Sequence, residues 1–275
     1  MTTAPVPTGA TGLDGGPGPA LLEAQGISVS FGGVRAVRDV SVTLRHGECL
    51  GVVGPNGSGK STLLNAFSGI VEASGTVTVA GTPMRLGRPR VAYDQGICRV
   101  FQAPQTYESL SCLENVMMSS RNKRWSGFLG SMLGRPAMRN NERDRVERAR
   151  SALTVCGIAS RDDGPSATLT YGQRRLLDLA RAVNAAPRIL LLDEPSAGLN
   201  DAETRILGEI LTNLKTPELG IVVVDHKIDF IDRLSSRVLV MEQGLAVADG
   251  PPGDIWKDQR VIDAYLGRAA DSAQH

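Results

Sequence analysis

A chain of 275 residues, 41% hydrophobic and 21% charged, is long enough for one large α/β domain or two small ones and has the composition of a globular protein. The formal net charge of +1 excludes a global field for nucleic acid. Apolar runs such as ILLL at 189–192 and IVVV at 221–224 fall far short of the roughly 20 residues a membrane helix needs.

Residues 1–20, MTTAPVPTGATGLDGGPGPA, have almost nothing to bury and read as a disordered tail, with structure expected from near Leu21. No positive region leading an apolar core opens the sequence, so no secretory leader is expected. GISVSF alternates apolar residues at Ile27, Val29 and Phe31, a strand pattern. ECLGVVG (48–54) is a short buried strand running into a glycine turn, and STLLNAFSG (61–69) a helix ending at Gly69. GTVTVAG (75–81) is another alternating strand, and GICRVFQ (96–102) a strand ending at Gln102. The four cysteines, Cys49, Cys98, Cys112 and Cys156, are scattered without metal-ligand spacing and fit a reduced compartment.

From Pro104 to Thr170 the character turns helical and polar. Within it, WSGFLGSMLGRPAM precedes a charged helix, RNNERDRVERAR, and residues 121–150 hold nine Arg or Lys against three Asp or Glu. That segment is either a solvated insertion or a docking surface for a partner or the membrane edge. TLTYGQRRLLDLARAV (168–183) opens a helix with Thr170 as N-cap and Gln173 completing a capping box. Gly172 between them leaves the backbone N–H groups approachable, and such a helix start attracts phosphate. RILLLDEP (188–195) and GIVVVDH (220–226) are continuous apolar strands of the kind buried on both faces of a parallel sheet. RVLVMEQGLAVADG (237–250) reads as a closing hairpin around Gly244.

GPNGSGKST, Gly54-Pro55-Asn56-Gly57-Ser58-Gly59-Lys60-Ser61-Thr62, fits the phosphate-binding loop G-x-x-x-x-G-K-[ST] between a strand and a helix. Its glycines let backbone N–H groups wrap phosphates, Lys60 supplies a point charge, and the Ser61 hydroxyl is a hard ligand for Mg²⁺. The strand before Asp193 delivers that acid to the C-terminal edge of a sheet, where it helps hold Mg²⁺. Glu194 beside it is placed to orient or deprotonate the water attacking the γ-phosphate. His226 ends the neighbouring strand within reach of the γ-phosphate. The Gln102 amide is a candidate contact for Mg²⁺ or the lytic water. Phe31 reads either as core or as a ring stacked on adenine.

The order phosphate loop, glutamine, LTYGQ, Asp-Glu, histidine resembles the ATP-binding cassette (ABC) family over nearly all of residues 21–267. LTYGQ (169–173) stands where that family carries Leu-Ser-Gly-Gly-Gln, and SAGLN (196–200) matches the loop after the catalytic glutamate. The resemblance implies an α/β P-loop NTPase (RecA-like) core with an antiparallel β subdomain and an inserted α-helical subdomain. The domain would span 21–251, with the helical part near 105–175, an insertion at 119–146 and a C-terminal extension at 252–275. It implies ATP and Mg²⁺ as cofactors and a head-to-tail pair of cassettes. In that pair Thr170, Tyr171, Gly172 and Gln173 of one chain cover the ATP held by the other. Tyr171 and Thr170 depart from the usual Gly and Ser, but the hydroxyl and Gly172 remain. FGGVRAV, YGQRR, AGLN, the insertion and VIDAYLG together look like ATP-binding subunits of branched-chain amino acid importers, with urea and amide importers similar. Lys227 departs from the acid that commonly follows the histidine. The implied partners are transmembrane permease subunits, a second cassette and, indirectly, a substrate-binding protein, with the chain peripheral on the cytoplasmic face. Rival expectations are a lipid or lipopolysaccharide exporter subunit, a soluble non-transport ABC ATPase and a small-molecule kinase.

Overall fold

The computed structural model of the chain describes residues 20–119 and 135–262. The N-terminal tail up to residue 19, residues 120–134 of the expected insertion and the chain end from 263 lie outside the described residues.

β1 (Ala20–Phe31) and β2 (Val34–Arg45) form a long hairpin across Gly32 and Gly33. Its inner face buries Leu22, Ala24, Ile27 and Val29 of β1 and Val37, Val40, Val42 and Leu44 of β2. Each strand once skips three residues instead of two, because the register shifts on either side of the Ile27–Val40 pair and Asp39 adopts φ +52°. β3 (Cys49–Val53) leads into the phosphate loop and α1 (Lys60–Phe67). β4 (Ser74–Val79) and β5 (Thr82–Met84) complete an antiparallel sheet in the order β2-β1-β4-β5. α2 (Pro89–Asp94) then precedes β6 (Ile97–Val100).

α3 (Cys112–Met117), α4 (Arg135–Val155) and α5 (Tyr171–Asn184) pack on one another as a helical subdomain. Two short 3-10 turns lie between α4 and α5. The rest alternates: β7 (Ile189–Asp193), α6 (Asp201–Asn213), β8 (Gly220–Val224), α7 (Ile228–Leu234), then the hairpin β9 (Arg237–Glu242) and β10 (Leu245–Gly250), and α8 (Pro252–Ile255).

The second sheet runs β10-β9-β3-β8-β7-β6, parallel throughout except for β10 at its edge. Both faces are covered. Ile221 and Val223 of β8 join the core shared with α3–α7, while Val222 and Val224 join the one shared with α1 and the first sheet. That two-sided burial is why the strands read as unbroken apolar runs. Burial pushes the Cys49 thiol up to about 11 and Cys156 up to about 12, so these cysteines act as small core residues. The packing continues past the boundary expected at 251, since Ile255 and Val261 are buried in the core.

Strand register then brings the candidate site residues to one edge of this sheet. Val52 of β3 and Asp193 of β7 both sit opposite Val224 of β8, and Val100 of β6 sits opposite Leu192. The phosphate loop, Gln102, Glu194 and His226 all follow directly from these strand ends.

Candidate active site

The phosphate loop is held by its own scaffold. Gly54 takes φ +145°, and a Cβ there would lie 2.0 Å from the Met241 carbonyl of β9. Gly59 takes φ +101°, and a Cβ there would lie 2.3 Å from the Ala36 carbonyl of β2. These two glycines are therefore demanded by close backbone approach within the chain, not only by the phosphates as the motif implies. Gly59 is the N-cap of α1 and offers no side-chain cap, so the first N–H groups of the helix point toward the loop without a side-chain acceptor. Lys60 is buried and donates to the carbonyls of Gly54 at 2.7 Å and Pro55 at 2.9 Å.

Ser61 Oγ donates to Asp193 Oδ1 at 3.1 Å, joining the loop to β7. The other oxygen of Asp193 accepts from Arg99 Nη2 at 2.6 Å. Arg99, on β6, also reaches the Asn65 and Ser68 side chains of the α1 segment. This buried ion pair was not foreseen: Arg99 lies mid-strand in ICRV, where sequence shows only a charge among apolar residues. Ser61 and Asp193 are hard oxygens side by side, the small protein contribution Mg²⁺ needs when phosphates and water complete its shell. Among the described residues no group of three or more His, Cys, Asp or Glu is placed to hold a metal.

Glu194 follows β7 with φ +46°, a left-handed backbone that a non-glycine residue rarely adopts. Its N–H donates to the Val224 carbonyl at 2.8 Å and its own carbonyl accepts from Arg175 Nη2 at 2.6 Å. The carboxylate is bonded on both sides: Oε1 to His226 Nε2 and Oε2 to Gln102 Nε2, each at 2.8 Å. The His226 contact fits the tautomer that carries its proton on Nε2. Gln102, expected near Mg²⁺ or the lytic water, has its amide nitrogen on Glu194. Asp225 stitches the two loops: it accepts from Ser196 N and Oγ, His226 N and Lys227 N at 2.8–3.0 Å. The departing Lys227 donates to the Leu199 carbonyl and Thr204 Oγ1, fastening the histidine loop to the start of α6.

The second helix start has the expected capping box: Gln173 N donates to Thr170 Oγ1 and Thr170 N to Gln173 Oε1, at 3.3 and 3.1 Å. Gly172, expected to leave its N–H groups open to approach, is buried, and a Cβ there would lie 2.5 Å from Glu203 Oε1. The capping box of α6 at Asn200 and Glu203 brings that carboxylate against the start of α5. Tyr171 is half-exposed beside Gly198, with its hydroxyl 3.5 Å from the Gln102 carbonyl. α5 packs against β6, and β6 is three strand positions from β3, about 14 Å at ordinary spacing. α5 thus packs on the sheet three strand positions from the strand that leads into the phosphate loop. Phe31 is 51% exposed at the hairpin turn, so the core reading of its ring is corrected; Ile27 and Val29 of the same strand are buried.

The family model described as ABC transporter matches residues 37–197. The high-affinity branched-chain amino acid transport ATP-binding protein LivG of Salmonella typhimurium is 32% identical over 251 residues, covering 90% of this chain and 98% of LivG. BraF of Pseudomonas aeruginosa, of the same description, is 32% identical over 252 residues, 90% of this chain and 98% of BraF. Among solved structures, the ADP conformation of an ATP-binding cassette of an ABC transporter superposes with a TM-score of 0.77 at 25% identity, covering 90% of this chain and 99% of that one.

Proposed function

Since this chain belongs to the ABC transporter family, we propose that it is the ATP-hydrolysing subunit of an importer for branched-chain amino acids or related small amino acid and amide solutes. It works as a head-to-tail pair of cassettes docked on membrane permease subunits, peripheral on the cytoplasmic face, with a substrate-binding protein delivering the solute. None of the helices among the described residues is long and apolar enough to cross a membrane, which suits a subunit that borrows its pathway.

The observation that carries the reading is the Glu194 carboxylate held between His226 and Gln102 beside the Ser61–Asp193 pair. Residues 54–62 cradle the ATP phosphates, with Lys60 exchanging the Gly54 and Pro55 carbonyls for phosphate oxygens. Ser61 and Asp193 would hold Mg²⁺, which would supply neutralisation of phosphate charge. Glu194 accepts the proton of the attacking water, while Gln102 and His226 fix the carboxylate and meet the γ-phosphate edge. Exposed Phe31 stacks on the adenine. Thr170 to Gln173 complete the site on the partner chain, and closure around two ATP molecules drives the permease.

The test is transport in vesicles holding the chain with its co-purified permease. ATP-dependent accumulation of labelled leucine or valine, abolished by Glu194→Gln, is the expected result. ATP hydrolysis with no accumulation of leucine, valine or urea contradicts the importer reading.

A further inference from the structure

Arg175 lies one turn into α5 and is 1% exposed. All its hydrogen bonds go to main-chain carbonyls, from two segments distant in sequence. Nη1 donates to the Phe101 carbonyl, Nη2 to that of Glu194 at 2.6 Å and Nε to that of Pro195 at 3.1 Å. Among the described residues no carboxylate hydrogen-bonds to it, although Asp178, Asp225 and Asp193 lie near enough to favour its charge, and burying a guanidinium is costly unless its planar fork is used. Here the fork closes a gap between two active-site loops. One side is the peptide beside Gln102, whose amide holds Glu194; the other is Glu194 itself, in its left-handed backbone. The same helix touches the glutamine segment at further points: Tyr171 on the Gln102 carbonyl, Arg174 on Glu108 at 3.2 Å, and Arg181 over the Tyr107 ring at 5.3 Å.

We infer that Arg175 is a positioning residue for hydrolysis, registering Glu194 and the Gln102 segment to the helix whose start covers the partner's ATP. The inference rests on the paired-cassette reading. Under it, α5 belongs to two sites at once: its first residues complete the neighbour's site and its second turn aligns the base of its own. A helix displaced by an unfilled partner site would carry Glu194 and Gln102 with it. Lysine, a single point charge, cannot span three carbonyls.

The experiment compares wild type, Arg175→Lys, Glu194→Gln and the double variant by thermal melting, fluorescent-ATP binding, ATP-driven dimerisation and turnover. Arg175→Lys is expected to fold, to bind ATP within about twofold of wild type and to lose at least about 20-fold in kcat, since a 1 Å misplacement costs about 100-fold. Added to Glu194→Gln, it should leave dimerisation intact and the residual turnover unchanged within about twofold, because both act through one group. A kcat within about twofold of wild type, or fully additive losses, overturns the inference. If Arg175→Lys does not fold, Arg175→Gln is carried through the same comparison and judged by the same outcomes. Failure of Glu194→Gln alone to dimerise with ATP would count against the pairing itself, while the kcat split still decides the role of Arg175 within its own chain.

Discussion

The two helix starts proposed to meet phosphate, at Lys60 and at Tyr171, are built in opposite ways. α1 begins after a left-handed glycine with no side-chain cap, and Gly54 and Gly59 before it are wedged against the backbone of β9 and β2. Its donors are left for a ligand and its shape is enforced by main chain. α5 begins with a complete capping box and has the Glu203 carboxylate pressed against its first turn. Its capping box satisfies the Thr170 and Gln173 N–H groups, and its body is tied by Arg175 to the loops of Gln102 and Glu194. On the proposed function, the difference separates a cradle from a lid: the first would grip phosphate by itself, whereas the second would be a rigid part brought up against a nucleotide held elsewhere.

The contrast can be broken or sharpened by substitution. The largest effect is expected from Glu194→Gln. Loss of the base should lower kcat by about 10³-fold, about 4 kcal/mol of barrier, without weakening ATP binding. A steady-state assay beside equilibrium nucleotide titration checks this, and turnover at the wild-type rate would remove Glu194 from the mechanism. Next, Gly54→Ala must place a Cβ on the Met241 carbonyl and keep a disfavoured φ, at a cost of about 3 kcal/mol or more. Urea denaturation should show it; an unchanged midpoint would mean the loop is not main-chain locked. Lys60→Ala removes a charged donor worth about 1.5–3 kcal/mol, so ATP affinity should fall by about 10- to 150-fold in a fluorescent-ATP titration. Equal affinity would place the ammonium away from the phosphates. The smallest effect is expected for Gly172→Ala. The clash there is with the flexible end of Glu203, which can turn away, so stability should change by less than about 1 kcal/mol. A large drop in melting temperature, unrelieved by Glu203→Ala, would show that α5 is as tightly wedged as the phosphate loop.

Much of the catalytic edge was legible because its residues follow strands whose apolar runs are unmistakable. Ser61 meets Asp193, and Glu194 meets His226 and Gln102, where the strand ends predict. What escaped the sequence was whatever depends on a partner distant along the chain. Arg99 and Arg175 look like ordinary charges beside apolar residues, because a long side chain can equally snorkel to solvent. Their burial follows from carboxylate and carbonyl partners contributed by other strands. β2 escaped because the shift at Asp39 breaks its alternation. Gly172 was misjudged as open because the obstruction comes from Glu203 on the next helix. Phe31 could be read two ways because the alternation that suggests the core ends at the Gly32–Gly33 turn, where the ring is exposed.

The central claim is that a site is complete only when a second chain lends its α5. Specific ATPase activity measured against chain concentration, with sedimentation at the same dilutions, tests it most directly. The account predicts activity that rises with the dimer fraction and vanishes where the chain sediments as a monomer. Constant specific activity down to a purely monomeric sample would contradict it.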